Sequence, residues 1–398
     1  MSKPSAFGPG ALITAAFIGP GTVTVCTLAG ISDGYSLLWA ILLAVVICYL
    51  LQEMAARLGL VTRRGLGDVL RSQITSSALR IVMLAIVFGA IVIGNAAYEA
   101  GNISGGALGL EALTGTSGGF VNVVIAILAA VLLYTGSYRL LERALIAMVL
   151  LMSIAFVLVA IATQPKIADL FSGLVPEISA GQTLTVIGLI GTTVVPYNLF
   201  LHASIVQEKW SGADALPAMR RDTAITIAVG GLISMAIIVS AAAIQGSEVS
   251  NAAQLARSLE PVFGAFSRYI LAIGLFAAGV TSAITAPLAA AYAASGCFGW
   301  SRELRSLRMR MVWLTVLLAG LLFSLLGGSP IEIIRFAQIT NGILLPLIVG
   351  FVLWAVNRRQ LVGAFANTRL RNLLGGTALL VVSVLSLRSV WLVLQSLL

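Results

Sequence analysis

Apolar stretches of roughly twenty residues recur along the whole chain, separated by short polar segments. Eleven of them are long enough to cross a hydrocarbon core of about 30 Å as a helix rising about 1.5 Å per residue. They centre on residues 10–31, 36–57, 80–104, 120–137, 143–162, 182–206, 223–245, 268–294, 309–326, 331–355 and 374–396. The pattern predicts an all-α integral membrane protein. Two of the stretches are interrupted near the middle, the first at Gly19-Pro20-Gly21-Thr22 and the sixth at Thr192-Thr193-Val194-Val195-Pro196-Tyr197-Asn198. In lipid every backbone N–H and C=O needs a partner, so a span is broken only where protein or a water-filled cavity replaces lipid. Two broken spans about half a chain apart predict a binding site at mid-membrane.

Composition agrees with this picture and narrows it. Of 398 residues 59% are hydrophobic and 10% charged, and the mean hydropathy is +1.03. A soluble protein of that length could not hide so much apolar surface. The net charge of +9 would suit a nucleic-acid partner, but the basic residues sit in the loops between apolar runs. Lys3; Arg57, Arg63, Arg64, Arg71 and Arg80; Arg139 and Arg143; Lys209, Arg220 and Arg221; Arg302, Arg305, Arg308 and Arg310; and Arg358, Arg359, Arg369 and Arg371 all fall on one side of the predicted topology. The positive-inside rule then places the N-terminus in the cytoplasm and, after eleven spans, the C-terminus outside a bacterial-type inner membrane. No cleavable leader is expected, because the first run is of spanning length and no basic stretch precedes it. Cys26, Cys48 and Cys297 have no metal-ligand spacing and read as small packing residues. A short surface helix is expected over Glu248 to Glu260.

With five spans before the second break, the broken spans become the first members of two five-helix sets of opposite orientation. The expected division is 1–163 for the first set, 164–356 for the second, inverted set, and 357–398 for a loop and an additional span.

Few residues in the apolar runs carry chemistry. Gly19, Pro20, Gly21 and Thr22 on one break, and Thr192, Thr193, Val195, Tyr197 and Asn198 on the other, are the candidate substrate-binding residues, since unwound segments free carbonyls for cations and half-helix N-termini for anions. A plain proline kink is the alternative for the first break taken alone. Glu99, inside the third span, is costly at that depth and is read as a carrier of a coupling proton, or as a carboxylate satisfied by Asn95 or Asn102 for folding alone. His202, the only histidine, lies four residues past Asn198 and reads equally as a proton relay or as a hydrogen-bonded packing residue. Gln338 and Asn341 in the tenth span reach the substrate or bond between helices. Arg388 snorkels to an interface or faces the bundle. Glu53 with Arg57 reads as a solvated ion pair of little weight. There is no nucleotide loop, His/Cys metal cluster or nucleophile triad, so no enzyme, no cofactor beyond a possible coupling proton, and no nucleic-acid partner are expected.

The chain resembles the NRAMP family of proton-coupled divalent-metal transporters. The resemblance is carried by Gln52, Ala56-Arg57-Leu58-Gly59 and Val61-Thr62; by Pro196, Asn198-Leu199 and Leu201-His202; by Gly274-Leu275, Ala277-Ala278-Gly279, Ser282 and Thr285; and by Gln338, Leu345-Pro346, Arg358-Arg359, Leu361 and Gly363. It implies a LeuT-like fold of two inverted five-helix repeats and alternating access around spans 1 and 6, with Glu99 and His202 at positions that match the family. The family's first motif reads Asp-Pro-Gly-Asn and its second Met-Pro-His-Asn. Here they are Gly19-Pro20-Gly21-Thr22 and Val195-Pro196-Tyr197-Asn198, and Ala96 replaces an acidic residue in span 3. Loss of the carboxylate and the thioether removes what offsets dehydration of a divalent ion and what favours soft metals. The expected substrate is therefore a non-metal, such as a small anion, bicarbonate, a carboxylate or a polar metabolite. The alternatives are a divalent metal cation in a rebuilt site, with no confident metal ligand, and a membrane sensor or scaffold without turnover. Its partners are then the substrate and the lipid bilayer.

Overall fold

A computed structural model describes residues 8–73, 77–115, 119–135, 154–177, 179–244, 255–326 and 329–397, with 147 and 150. Ten of the eleven predicted spans fall on described helices. The fifth, over 143–162, lies mostly outside the described residues, as do Lys3, Arg139, Arg143 and most of the segment from Glu248 to Glu260.

The first span is two helices, α1 (Pro9–Phe17) and α2 (Pro20–Asp33). Each is too short to cross the hydrocarbon alone. The break between them follows from local sterics. A proline pushes the residue before it out of the helical region, and Gly19 is extended at φ −105°, ψ −173°, while Pro20 takes the first helical position, where a missing N–H costs nothing. The sixth span repeats the device. Helix α7 (Thr183–Thr193) ends, Val195 is extended at φ −89°, ψ 122°, and α8 (Pro196–Lys209) starts on Pro196. Between the two broken spans come α3 (Leu38–Thr62), α4 (Leu66–Gln73), α5 (Ser77–Thr114) and α6 (Gly119–Thr135), and a short helical turn over Ile167–Ser172 precedes α7. After α8 come α9 (Leu216–Ala242), α10 (Ser267–Phe298), α11 (Leu307–Leu325), α12 (Pro330–Val356) and α13 (Arg369–Leu397).

Burial sorts these helices. The central window of α7 and α8 is 89% buried and that of α10 is 78% buried, whereas α13 is only 28% buried. The broken span therefore runs through the middle and the last helix lies at the periphery. Arg388 is on the exposed side of α13, so it does not face the bundle. Cys26, Cys48 and Cys297 are unpaired and buried, as packing residues are.

Between helices in lipid, close approach has to come from small residues. A Cβ at Gly279 of α10 would lie 2.4 Å from the Cα of Gly106 in α5. Backbone cannot step aside as a side chain can, so Gly279→Ala is expected to cost about 1–3 kcal/mol. A lowered melting temperature in detergent, against no change for Gly350→Ala, where a Cβ meets nothing within 4 Å, is the check.

Candidate functional site

The two breaks meet at the centre of the molecule. The Thr22 and Thr192 hydroxyls are 2.8 Å apart and share a hydrogen bond that crosses from one broken span to the other. Thr22, Thr192, Pro20, Gly21, Val195, Tyr197 and Asn198 are all buried. Both side-chain atoms of Asn198 are buried without a hydrogen-bond partner. In an apolar interior such groups cost free energy unless something satisfies them. Gln338 comes from α12 to the first break, where its amide nitrogen covers the face of Gly21. Its carbonyl oxygen has no partner.

Not every residue expected at the site turns toward it. Thr193 donates its hydroxyl back to the Leu189 carbonyl of its own helix at 2.9 Å. Asn341 lies against α5 beside Gly94. Conversely, two residues without an expected role stand at the first break. A Cβ on Gly19 would lie 2.5 Å from the Ser282 hydroxyl and 3.7 Å from that of Tyr98. Tyr98 shares a helical face with Asn95, Glu99 and Asn102, spaced by three and four residues. That spacing is the sequence signal that sets Tyr98 on the polar face of the span.

Glu99 is fully buried. One oxygen accepts from the Asn102 amide at 3.2 Å and the other has no partner. Helix α11 passes directly over it, close enough that a Cβ on Gly320 would lie 2.5 Å from the Glu99 Cγ. None of the ion pairs among the described residues involves it. His202 is equally buried. Its Nδ1 is 3.0 Å from the Gln52 side-chain oxygen of α3, and its Nε2 is unpartnered. Among the described residues no three His, Cys, Asp or Glu side chains converge as metal ligands. Any cation seated between the breaks would meet neutral oxygens.

The arginine-bearing loops come together at one end of the bundle and close it. Glu53 and Arg57 are not a solvated pair. Their side chains are 8% and 0% exposed, because the loop after α12 covers them. The Arg57 Nε donates to Glu53 at 3.1 Å, and its other nitrogens donate to the Phe365 carbonyl and to the Asn367 side chain. Arg220 of α9 donates to the same Glu53 oxygen at 2.8 Å. Nearby, the Gly8 and Gly10 amides at the start of α1 donate to Asp222 of α9 at 3.0 and 2.9 Å. Tyr292 of α10 donates to Glu208 of α8 at 2.9 Å, and Arg302 bonds Asp68 of α4. Burial lowers the pKa of the Arg302 guanidinium below its ordinary value. At the opposite end the Gln182 amide donates to Asp33 at 2.9 Å and to Ser36 at 3.2 Å. Between these two ends Thr22, Thr192, Asn198 and Gln338 are buried, at no more than 2% exposure.

Two discontinuous helices that meet in a buried polar centre are the architecture of membrane transporters of LeuT-like fold. The fold is shared with the manganese transporter of Eremococcus coleocola, crystallised with a bis-isothiourea compound (TM-score 0.78, 22% identity, 96% of this chain and 85% of that one). It is shared more distantly with MhsT in complex with L-phenylalanine (TM-score 0.65, 16% identity, 97% and 100%). The family model for natural resistance-associated macrophage protein-like (Nramp) proteins matches residues 10–392, and the chain belongs to that family. The divalent metal cation transporter MntH of Bradyrhizobium diazoefficiens is 29% identical over 381 residues, covering 90% of this chain and 83% of the relative.

Proposed function

We propose that the protein moves a small ion across the membrane by alternating access, with the cargo held between the Gly19–Thr22 and Val195–Asn198 breaks. In this reading Glu99 carries a coupled proton and His202 assists through Gln52. The single observation that carries it is the 2.8 Å hydroxyl contact between Thr22 and Thr192. It joins two breaks beside which buried side-chain polar atoms of Asn198, Gln338 and Ser282 have no partner. The arginine-bearing end faces the cytoplasm, and the division at residues 163 and 356 separates the two repeats.

The relatives' name favours a divalent metal cation as cargo over the non-metal expected from the sequence. Hydroxyl, amide and carbonyl oxygens without sulfur suit a hard cation that keeps part of its water shell. A non-metal anion remains as a second reading on one observation: the breaks carry no carboxylate of their own, and the N-termini of α2 and α8 both open onto them.

The purified chain in proteoliposomes separates the readings. Accumulation of manganese or magnesium driven by an imposed proton gradient supports the first, and accumulation of bicarbonate or acetate without either metal supports the second. Transport of none of them overturns the proposal and leaves a sensor or scaffold. Thr22→Ala and Asn198→Ala are each expected to weaken calorimetric binding of the transported ion by about 10- to 100-fold, the worth of one hydrogen bond to a charged partner. Unchanged affinity in both variants would place the site elsewhere.

A further inference from the structure

Tyr98 belongs to α5, an unbroken helix, yet it touches both breaks. Its hydroxyl donates to the Ala16 carbonyl at 3.4 Å, one of the carbonyls that the end of α1 leaves without a helical partner. It also stands over Gly19, where the first break has no side chain. Its ring meets that of Tyr197, on the first turn of α8, with centroids 5.3 Å apart and planes at 68°. At that spacing the edge of one ring lies on the face of the other and nothing fits between them. Both tyrosines are sealed, at 1% and 2% exposure.

We propose that Tyr98 is a specificity-determining residue that sets the size of what the breaks accept. This rests on the reading of the breaks as the cargo site and narrows it. A bare or partly hydrated inorganic ion can enter by parting the Thr22–Thr192 hydroxyl pair. A larger organic solute would have to part the two rings, of which Tyr98 rides on α5, packed against α10 and α12, and Tyr197 on the first turn of α8. Polar metabolites larger than the breaks are thereby excluded as cargo, while small ions of either sign, bicarbonate and acetate included, remain.

The test reads cavity size without knowing the cargo. Ser282 is fully buried, unpartnered and directly at Gly19, so Ser282→Cys, in a chain whose three native cysteines are changed to alanine, is a nearly isosteric reporter. The probes are 2-aminoethyl methanethiosulfonate and its bulkier trimethylammonium analogue, applied to the full-length protein in vesicles. In the parent the bulky reagent is expected to react far more slowly than the small one. Tyr98→Ala is expected to raise the bulky-to-small rate ratio by about tenfold as local opening is no longer needed, and Tyr98→Phe to leave it unchanged. General loosening would speed both reagents alike and leave the ratio where it was.

An unchanged ratio in Tyr98→Ala, or an equal rise in Tyr98→Phe, overturns the proposal. Should Tyr98→Ala melt far below the parent, Tyr98→Val gives the same reading with a smaller loss of packing. A raised ratio in a protein that transports no ion would refute the proposed function and leave the steric role of Tyr98 standing.

Discussion

Glu99→Gln is expected to abolish proton movement while cargo binding stays within about threefold of the parent, since the amide keeps the size and most of the hydrogen bonding of the carboxyl but cannot exchange a proton. The expectation comes from what surrounds the side chain. A carboxyl group with no exposed surface, one neutral amide partner and no ion pair among the described residues is poorly placed to hold a permanent charge. It is well placed to take up a proton from one face and release it when the bundle opens to the other. The adjacent residue, Tyr98, lies against both breaks, so in the proposed reading Glu99 stands one residue from the cargo site. The measurement is a pH-sensitive dye inside proteoliposomes, alongside uptake of the transported ion. Proton influx at the parent rate in the glutamine variant would move the carrier to another group, such as His202 with Gln52.

Removing Glu53 is expected to be strongly destabilising, at about 3–5 kcal/mol for Glu53→Ala. The reason is the asymmetry of buried ion pairs: taking away one partner strands the other. Here one carboxylate faces two guanidinium groups, Arg57 and Arg220, so its loss strands a fully buried Arg57 and sets it against Arg220 with nothing between them. The effect also spreads, because Arg57 holds the Phe365 carbonyl and the Asn367 side chain and so pins the loop between α12 and α13. Thermal unfolding in detergent measures it. The combined change Glu53→Met, Arg57→Met, Arg220→Met should recover much of the loss, since removal of a whole buried cluster costs far less than removal of one member. A Glu53→Ala variant that melts with the parent would show that water reaches this cluster after all.

Much of the architecture is written locally. A run of apolar residues in lipid has little choice but to be a helix, and for that reason the predicted spans that are described coincide with helices, seven or eight of them long and apolar enough to cross a membrane. The two breaks are local as well: a proline at the first helical position and an extended residue before it suffice to end one helix and begin another, wherever the rest of the chain lies. Gly19, Pro20, Val195 and Pro196 could therefore be read from their neighbours alone.

The partners could not. Whether Thr192 or Thr193 turns to the first break depends on about 100° of helix rotation, and only packing sets that; Thr192 meets Thr22 while Thr193 bonds back to Leu189. Glu53 and Arg57, four residues apart, look like any solvated pair until α9 and the loop after α12 close over them. Tyr98 and Tyr197 are 99 positions apart in the chain and nothing in either neighbourhood points to the other. By itself the sequence determined that this protein lives in a membrane, that two of its spans are broken and where, because those outcomes rest on solvent and on backbone sterics a few residues wide. Which side chains face each other across the breaks was decided by the tertiary structure, because it depends on helix rotation and on close approach through glycines such as Gly106 and Gly279, which bring distant segments together.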